Sequence, residues 1–281
     1  MILNLLAPAK LNLFLHIVGR RNDGYHELQS VFILIDLCDQ IKLTLRRDGE
    51  IVRSGDVIGD IDKDLCLRAA RLLKKQSNCN LGVEIEVTKR IPAGAGLGGG
   101  SSDAATTLMG LNKLWELNFS TDQLIPIGTS LGADVPFFLL GTNAWVEGIG
   151  EKLTPIDVPS TSFAVIWPGV SQATSEIFSH SDLTRNTKYV TMSILNGAQQ
   201  TGDWMSLGHN DLEPIAKIVN PEVNKVLSEL PQFRLTGSGS AVFAQMQESE
   251  ANRVFEQLPK NWKHFLVKSL KIHPTLSALS C

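Results

Sequence analysis

The chain has 281 residues, 43% hydrophobic and 20% charged, with a formal net charge of −3. That composition excludes a disordered chain, and at ~150 residues per domain the length holds roughly two domains. The slight acidity excludes the broad basic field of a dedicated nucleic-acid binder, yet allows a local basic pocket for a phosphorylated small molecule.

The opening segment MILNLLAPAKLNLF is apolar, but no Lys or Arg precedes it and Lys10 interrupts it. It is a poor secretory signal. Leu11, Leu13, Leu15 and Ile17 alternate with Lys10, Asn12, Phe14 and His16, so the period predicts a strand with one apolar and one polar-bearing face. Asn22-Asp23-Gly24 reads as a turn, followed by strands over residues 31–37 and 41–45. Residues 64–75 have the pattern of an amphipathic helix, with Leu65, Ala69, Leu72 and Leu73 on one side. Residues 83–87 alternate as a strand. A helix is expected after residue 100, with Ser101 or Ser102 as N-cap and Asp103 in its first turn. Pro, Asp and Ser cluster at residues 150–160, which suggests two domains, 1–155 and 156–281. Strands follow at 163–167 and, around a Gly/Ser turn, within 233–246. A helix at 249–258 and a strand at 265–270 close the chain. Strands and helices mix without a regular βαβ repeat, which indicates an α+β fold.

No apolar run approaches the ~20 residues of a membrane span. Cys38, Cys66, Cys79 and Cys281 show neither CxxC spacing nor nearby histidines at zinc-finger spacing. So few thiols fit a reducing compartment, and a cytoplasmic protein is expected.

The densest chemical signal is Pro92-Ala93-Gly94-Ala95-Gly96-Leu97-Gly98-Gly99-Gly100-Ser101-Ser102-Asp103, with five glycines in residues 94–100. Glycine admits positive φ and close approach to the backbone. Successive N–H groups can line a concavity for anionic oxygens, and a helix beginning there adds free N–H groups and a positive dipole end. Ser101 and Ser102 add hydroxyls for phosphate or magnesium. The pattern reads as a polyphosphate cradle. GxGxxG is satisfied, so a dinucleotide site is an alternative, but residues 88–92 separate strand from glycine where that turn is tight. A Walker A loop lacks its Gly-Lys-Ser/Thr. A flexible loop without ligand fits poorly with a helix start directly behind it.

Lys10, with Asn12 two residues on, could neutralise a phosphate or developing alkoxide; a solvated lysine on an edge strand is the plainer reading. Asp134 stands alone in the apolar run LGADVPFFLL, where it could serve as a general base toward a hydroxyl or cap a helix with Pro136 in the first turn. Tyr25 and His26 could stack on a base and bond its edge, or Tyr25 could pack on the hairpin. Thr236-Gly237-Ser238-Gly239-Ser240 reads as a tight hairpin turn. His180, His209, His264 and His273 share no spacing and read as ordinary.

Together these segments resemble the GHMP small-molecule kinases. The resemblance rests on PAGAGLGGGSSDAA, on residues 7–13 (APAKLNL), 21–28 (RNDGYHEL), 131–137 (LGADVPF), 146–151 (VEGIGE) and 235–241 (LTGSGSA). They run in order to about residue 244, and the form is that of a branch acting on a cytidine-diphosphate-linked alcohol. The resemblance implies a two-domain α+β GHMP fold with its site between the domains, using ATP and Mg2+. It implies Asp134 as catalytic base and Lys10 as its partner. Residues Pro92, Ala93, Gly94, Ala95, Gly96, Leu97, Gly98, Gly99, Gly100, Ser101 and Ser102 match the ATP-phosphate loop. Tyr25 and His26 match a cytosine-binding pair and Asn12 a substrate contact. Phe178 matches an aromatic on the other side of the base. No magnesium ligand is identified by motif. The implied partners are small molecules, not nucleic acid or membrane, and a homodimer is left open. Competing readings are a GHMP kinase for mevalonate, homoserine or a sugar, a dinucleotide-binding oxidoreductase, and a non-catalytic nucleotide-binding regulator.

Overall fold

The structure is a computed structural model that describes residues 1–279, apart from the side chain of Met192. Cys281 lies outside the described residues. The first half contains β1 (Ile2–Arg20), β2 (His26–Arg46), β3 (Ile51–Gly55), α1 (Leu65–Ser77), β4 (Gly82–Thr88), α2 (Gly99–Leu114), α3 (Thr121–Thr129), α4 (Val135–Leu140), β5 (Ala144–Gly148) and β6 (Lys152–Pro155). The second half contains β7 (Ser162–Trp167), α5 (Thr174–Ser179), α6 (Met192–Thr201), α7 (Glu213–Val219), α8 (Pro221–Glu229), β8 (Arg234–Leu235), β9 (Val242–Gln245), α9 (Glu248–Phe255), β10 (Lys263–Leu270) and α10 (Pro274–Leu279).

One long strand organises the sheet. β2 pairs with β1 along one edge. Its other edge is divided among β5 at residues 28–32, β10 at Ile35 and Leu34, and β4 at residues 40–46. The two strands expected at 31–37 and 41–45 are therefore one. Asp39, in the gap between them, is fully buried inside the strand because its carboxylate has partners of its own.

β1 is also longer than its alternating core, and both of its faces are covered. Lys10, Asn12 and His16 are buried as completely as Leu11, Leu13 and Ile17. This overturns the expectation of a solvated lysine on an edge strand. Three register shifts, between Pro8 and Ala9, between Asn12 and Leu15 and between Ile17 and Gly19, redirect its side chains. Consequently β1 contributes to all three apolar clusters. Leu5 and Ala7 meet α1–α4. Leu11, Leu13 and Phe14 meet Phe163, Trp204 and Phe243. Leu15 and Ile17 meet Leu212, Val223 and Val226 of the α7–α8 region.

The free edge of β1 is not left open. The backbone N–H of Lys10 donates to the Leu97 carbonyl at 3.0 Å, that of Asn12 to Thr236 Oγ1 at 3.0 Å, and that of Leu15 to the His209 carbonyl at 2.9 Å. Three remote segments are thereby aligned on one strand. The Pro/Ser-rich stretch after residue 155 is the connection from β6 to β7. Among the described residues no helix is long and apolar enough to cross a membrane.

Candidate active site

The glycine box forms an open loop between β4 and α2. Gly94, Gly96 and Gly98 all adopt positive φ, at 62°, 75° and 74°. Gly98, not Ser101 or Ser102, occupies the N-cap, because its left-handed conformation starts the helix at Gly99. Ser101 thus falls in the first turn and Asp103 beyond it. No side chain caps this helix, so the N–H groups of its first turn face the loop's concavity without an internal acceptor. The start of this 16-residue helix is uncapped and glycine-lined, a geometry that favours anionic oxygens.

The loop is supported by the second glycine segment, which sequence reading left as a simple hairpin turn. It does join β8 to β9, but it also packs backbone to backbone on the first loop. The Ala241 N–H donates to the Ala95 carbonyl at 3.0 Å. A Cβ on Gly96 would lie 2.2 Å from the Thr236 carbonyl oxygen. A Cβ on Gly237 would stand 3.1 Å from Asn12 Oδ1 and 3.2 Å from Lys10 Nζ. Small residues on both loops therefore let two backbones and a lysine meet. Local pattern could not show this, because more than 130 residues separate the partners.

Lys10 is the cation at that meeting point. Its ammonium donates to Asn12 Oδ1, stands 3.7 Å from Asp134 Oδ2, and lies 4.9 Å above the Phe32 ring. Burial pushes its pKa down, and the charge and hydrogen bond of Asp134 work against that. Asp134 occupies the N-cap position of α4, with Pro136 in the first turn as expected. Its carboxylate makes no capping hydrogen bond; it turns toward Lys10. Its side chain keeps 32% exposure, so this lone carboxylate of an apolar run opens into the cleft.

A single cleft of about 880 Å³ joins these groups. Lys10, Asn12, Tyr25, His26, Asp134, Phe178 and residues 92–101 line it, as do Gly237, Ser238 and Gly239. Of the residues matched to a catalytic, ATP-phosphate or substrate role, Ser102 is the one not on the lining; its hydroxyl is buried without a partner among the described residues.

At the other end, the Phe178 ring of α5 lies 5.3 Å from the His26 imidazole at 43°. Tyr25 is 61% exposed. It reaches into the cleft rather than packing on the hairpin. The His26 pKa is lowered by burial first and then by the Arg185 and Arg20 charges.

Behind the glycine loop sits a buried cluster that sequence reading missed. Lys89 bonds both Asp39 and Asp103, the latter at 2.6 Å. Asp39 also accepts the backbone N–H groups of Arg90 and Ile91, so it pins the start of the loop to β2. Burial, reinforced by the Asp39 charge, pushes the Asp103 carboxyl up to about 7, against the pull of Lys89. A carboxyl whose pKa is higher folded than unfolded loses stability as pH rises from its ordinary value through the folded one. Asp103→Asn should therefore match the wild type near pH 4 and exceed it by about 1–3 kcal/mol at pH 8, read by urea unfolding at several pH values. A pH-independent difference would refute this.

Of the histidines read as ordinary, His273 is fully buried between α2 and α10, with its pKa driven down to about 3 by burial. His209 bonds Asp211 at 2.7 Å. The remaining cysteines are free thiols: Cys66 buried, Cys38 and Cys79 half-buried. Among the described residues no cluster of three or more His, Cys, Asp or Glu side chains could hold a metal.

Comparison with known proteins agrees with this architecture. Residues 64–142 match the GHMP kinases N terminal domain and residues 194–264 the GHMP kinases C terminal domain. A 4-diphosphocytidyl-2-C-methyl-D-erythritol kinase of Ralstonia nicotianae is 48% identical over 274 residues, covering 95% of this chain and 94% of the relative. A crystal structure of 4-(cytidine 5'-diphospho)-2C-methyl-D-erythritol kinase aligns with TM-score 0.80 and 33% identity over 95% of this chain and 99% of that one. A homoserine kinase from Cytophaga hutchinsonii, 18% identical, shares the fold with TM-score 0.70 over 98% of this chain and 96% of its own. With its α+β architecture and a full-length likeness that extends to one branch, the chain belongs to the GHMP kinases, within the 4-diphosphocytidyl-2-C-methyl-D-erythritol kinase family.

Proposed function

We propose that the protein transfers the γ-phosphoryl group of ATP to the 2-hydroxyl of 4-diphosphocytidyl-2-C-methyl-D-erythritol, a step toward isoprenoid precursors. The observation that carries the reading is one cleft with a phosphate cradle and a Lys10–Asp134 pair at one end and an aromatic–imidazole clamp at the other. An acceptor substrate with a nucleobase needs both ends. Mevalonate, homoserine and simple sugars have no use for the clamp, and a nicotinamide dinucleotide has no use for a base beside a lysine.

The geometry supports the following roles. The N–H groups at the start of α2 and the glycine loop hold the terminal phosphates. Lys10 neutralises charge between those phosphates and the acceptor oxygen. Asp134 accepts the hydroxyl proton as the oxygen–phosphorus bond forms and the bond to the ADP oxygen breaks. Asn12 fixes Lys10 and faces the acceptor. Tyr25 and Phe178 flank the base, and His26 donates to its edge. We read the chain as two domains, 1–155 and 156–281, a reading supported by lining residues from both parts of the chain, such as Lys10 and Asp134 from the first and Phe178 and Gly237 from the second.

Magnesium fits as a companion of the nucleotide. Mg2+ takes most of its ligands from phosphates and water, so the lack of a carboxylate cluster among the described residues suits it. The Ser101 hydroxyl, on the cleft lining at the uncapped helix start, would be the protein oxygen to hold it. The ion supplies charge neutralisation on the phosphate oxygens. The cytoplasm is the compartment proposed.

ADP release from ATP and magnesium should be measured with the diphosphocytidyl compound, mevalonate, homoserine and galactose. Turnover confined to the cytidine compound supports the reading. Turnover with another alcohol keeps the kinase and overturns the clamp; no turnover with any returns a binding protein.

A further inference from the structure

Arg185 lies outside the cleft lining, yet it bonds both sides of the nucleobase clamp. Its Nε donates to His26 Nε2 at 3.1 Å. Its Nη1 donates to the carbonyls of Leu183 at 2.9 Å and Ser181 at 3.3 Å. Its Nη2 donates to those of His180 at 2.7 Å and Phe178 at 3.5 Å. The planar fork thus serves one imidazole nitrogen and four backbone carbonyls, of Phe178 in α5 and of His180, Ser181 and Leu183 in the turn that follows.

Two consequences follow from elementary chemistry. A guanidinium keeps all its protons and can only donate. The His26 nitrogen facing it must therefore be the acceptor, and in the neutral ring the proton resides on Nδ1. A neutral ring with Nδ1–H presents one donor, which suits an acceptor atom on a pyrimidine edge. In addition, the carbonyl bonds hold the Phe178 turn at the distance where its ring meets His26. The turn is tied down again at Thr187, whose N–H donates to Ile17, and at Val190, whose N–H donates to Gln29 Oε1. Arg185 is thus not what keeps the segment folded onto β1 and β2.

We infer that Arg185 is a positioning residue for nucleobase recognition: it sets the His26 tautomer and holds Phe178 beside it, without itself touching substrate. This rests on the reading of the cleft as a cytidine site. The charged groups facing His26 are Arg185 and, from the paired strand, Arg20.

The test has a readout that needs no substrate. Imidazole ¹⁵N shifts of His26 in the wild type should show a protonated Nδ1 and an unprotonated Nε2 from pH 6 to 8. An Nε2–H tautomer overturns the inference even if no variant folds. In Arg185→Met the tautomers should mix and His26 should titrate at higher pH than in the wild type. The same variant should raise KM for the cytidine substrate about tenfold or more, leave KM for ATP unchanged, and keep kcat within about threefold. Arg185→Lys should restore the loss only in part, since an ammonium cannot reproduce the fork. An unchanged tautomer with unchanged KM, or equal losses toward both substrates, overturns the role. If the wild type fails to bind cytidine compounds while the tautomer is as described, the substrate reading fails and the His26–Arg185 assignment stands.

Discussion

Replacing Asp134 by Asn lowers kcat by ~10²- to 10⁴-fold while KM for ATP stays within about threefold. The asymmetry comes from where the carboxylate sits. Asp134 faces the cleft 3.7 Å from Lys10 and makes no capping bond to its helix, so an isosteric amide leaves α4 and its apolar packing intact. The phosphate loop is held by β1 and the 236–241 segment, neither of which passes through Asp134. What Asn cannot do is accept a proton. It also withdraws the charge that opposes the downward pull of burial on the Lys10 pKa. With that pKa lower still, Lys10 loses its proton at lower pH, so the alkaline limb of any residual activity shifts toward neutrality. Steady-state kinetics from pH 6 to 10 read both effects. Activity within tenfold of the wild type would remove Asp134 from the base role.

Gly96→Ala is expected to abolish ATP binding and to cost about 2–4 kcal/mol of stability. Two independent penalties coincide there. The residue has φ of 75°, where a side chain is strained, and its Cβ would stand 2.2 Å from the Thr236 carbonyl oxygen. That neighbour is backbone in the supporting loop and cannot rotate away. Relief requires the two loops to part, which opens the cradle and removes the floor beneath Lys10. Gly197→Ala is the control: nothing lies within 4 Å of its Cβ, and in the interior of a helix alanine is favoured by ~1 kcal/mol. Calorimetric titration with ATP and thermal unfolding separate the pair. Normal ATP affinity in Gly96→Ala would show that the loops do not depend on each other.

The parts of this site carried by contiguous residues were legible without coordinates. The glycine box, the lysine two residues before Asn12 and the lone carboxylate before Pro136 each have a local chemical reason to be where they are. What escaped were properties set by distant partners. The polar face of β1 reads as solvated until the 97 and 236 segments cover it. Ser101 and Ser102 are good caps by type, but Gly98 turns the chain first and pre-empts them. Asp103 suits a helix start by charge, and only burial beside Asp39, against the pull of Lys89, makes it a destabilising acid. Arg185 lies in the polar stretch SHSDLTRNTK, where nothing periodic distinguishes it; its five acceptors are visible only once the turn is folded. The expected strands at residues 31–37 and 41–45 failed for the same reason, since Asp39 is a strand residue only when its carboxylate has partners.

The return of the last strand to the first hairpin has a bearing on synthesis. A nascent chain paused at residue 155 already carries the glycine box, Lys10 and Asp134. It lacks the backbone that supports the cradle at residues 236–241 and the strand that closes on Ile35 and Leu34. The glycine loop therefore gains its full backbone support only when the chain through residue 241 has left the ribosome.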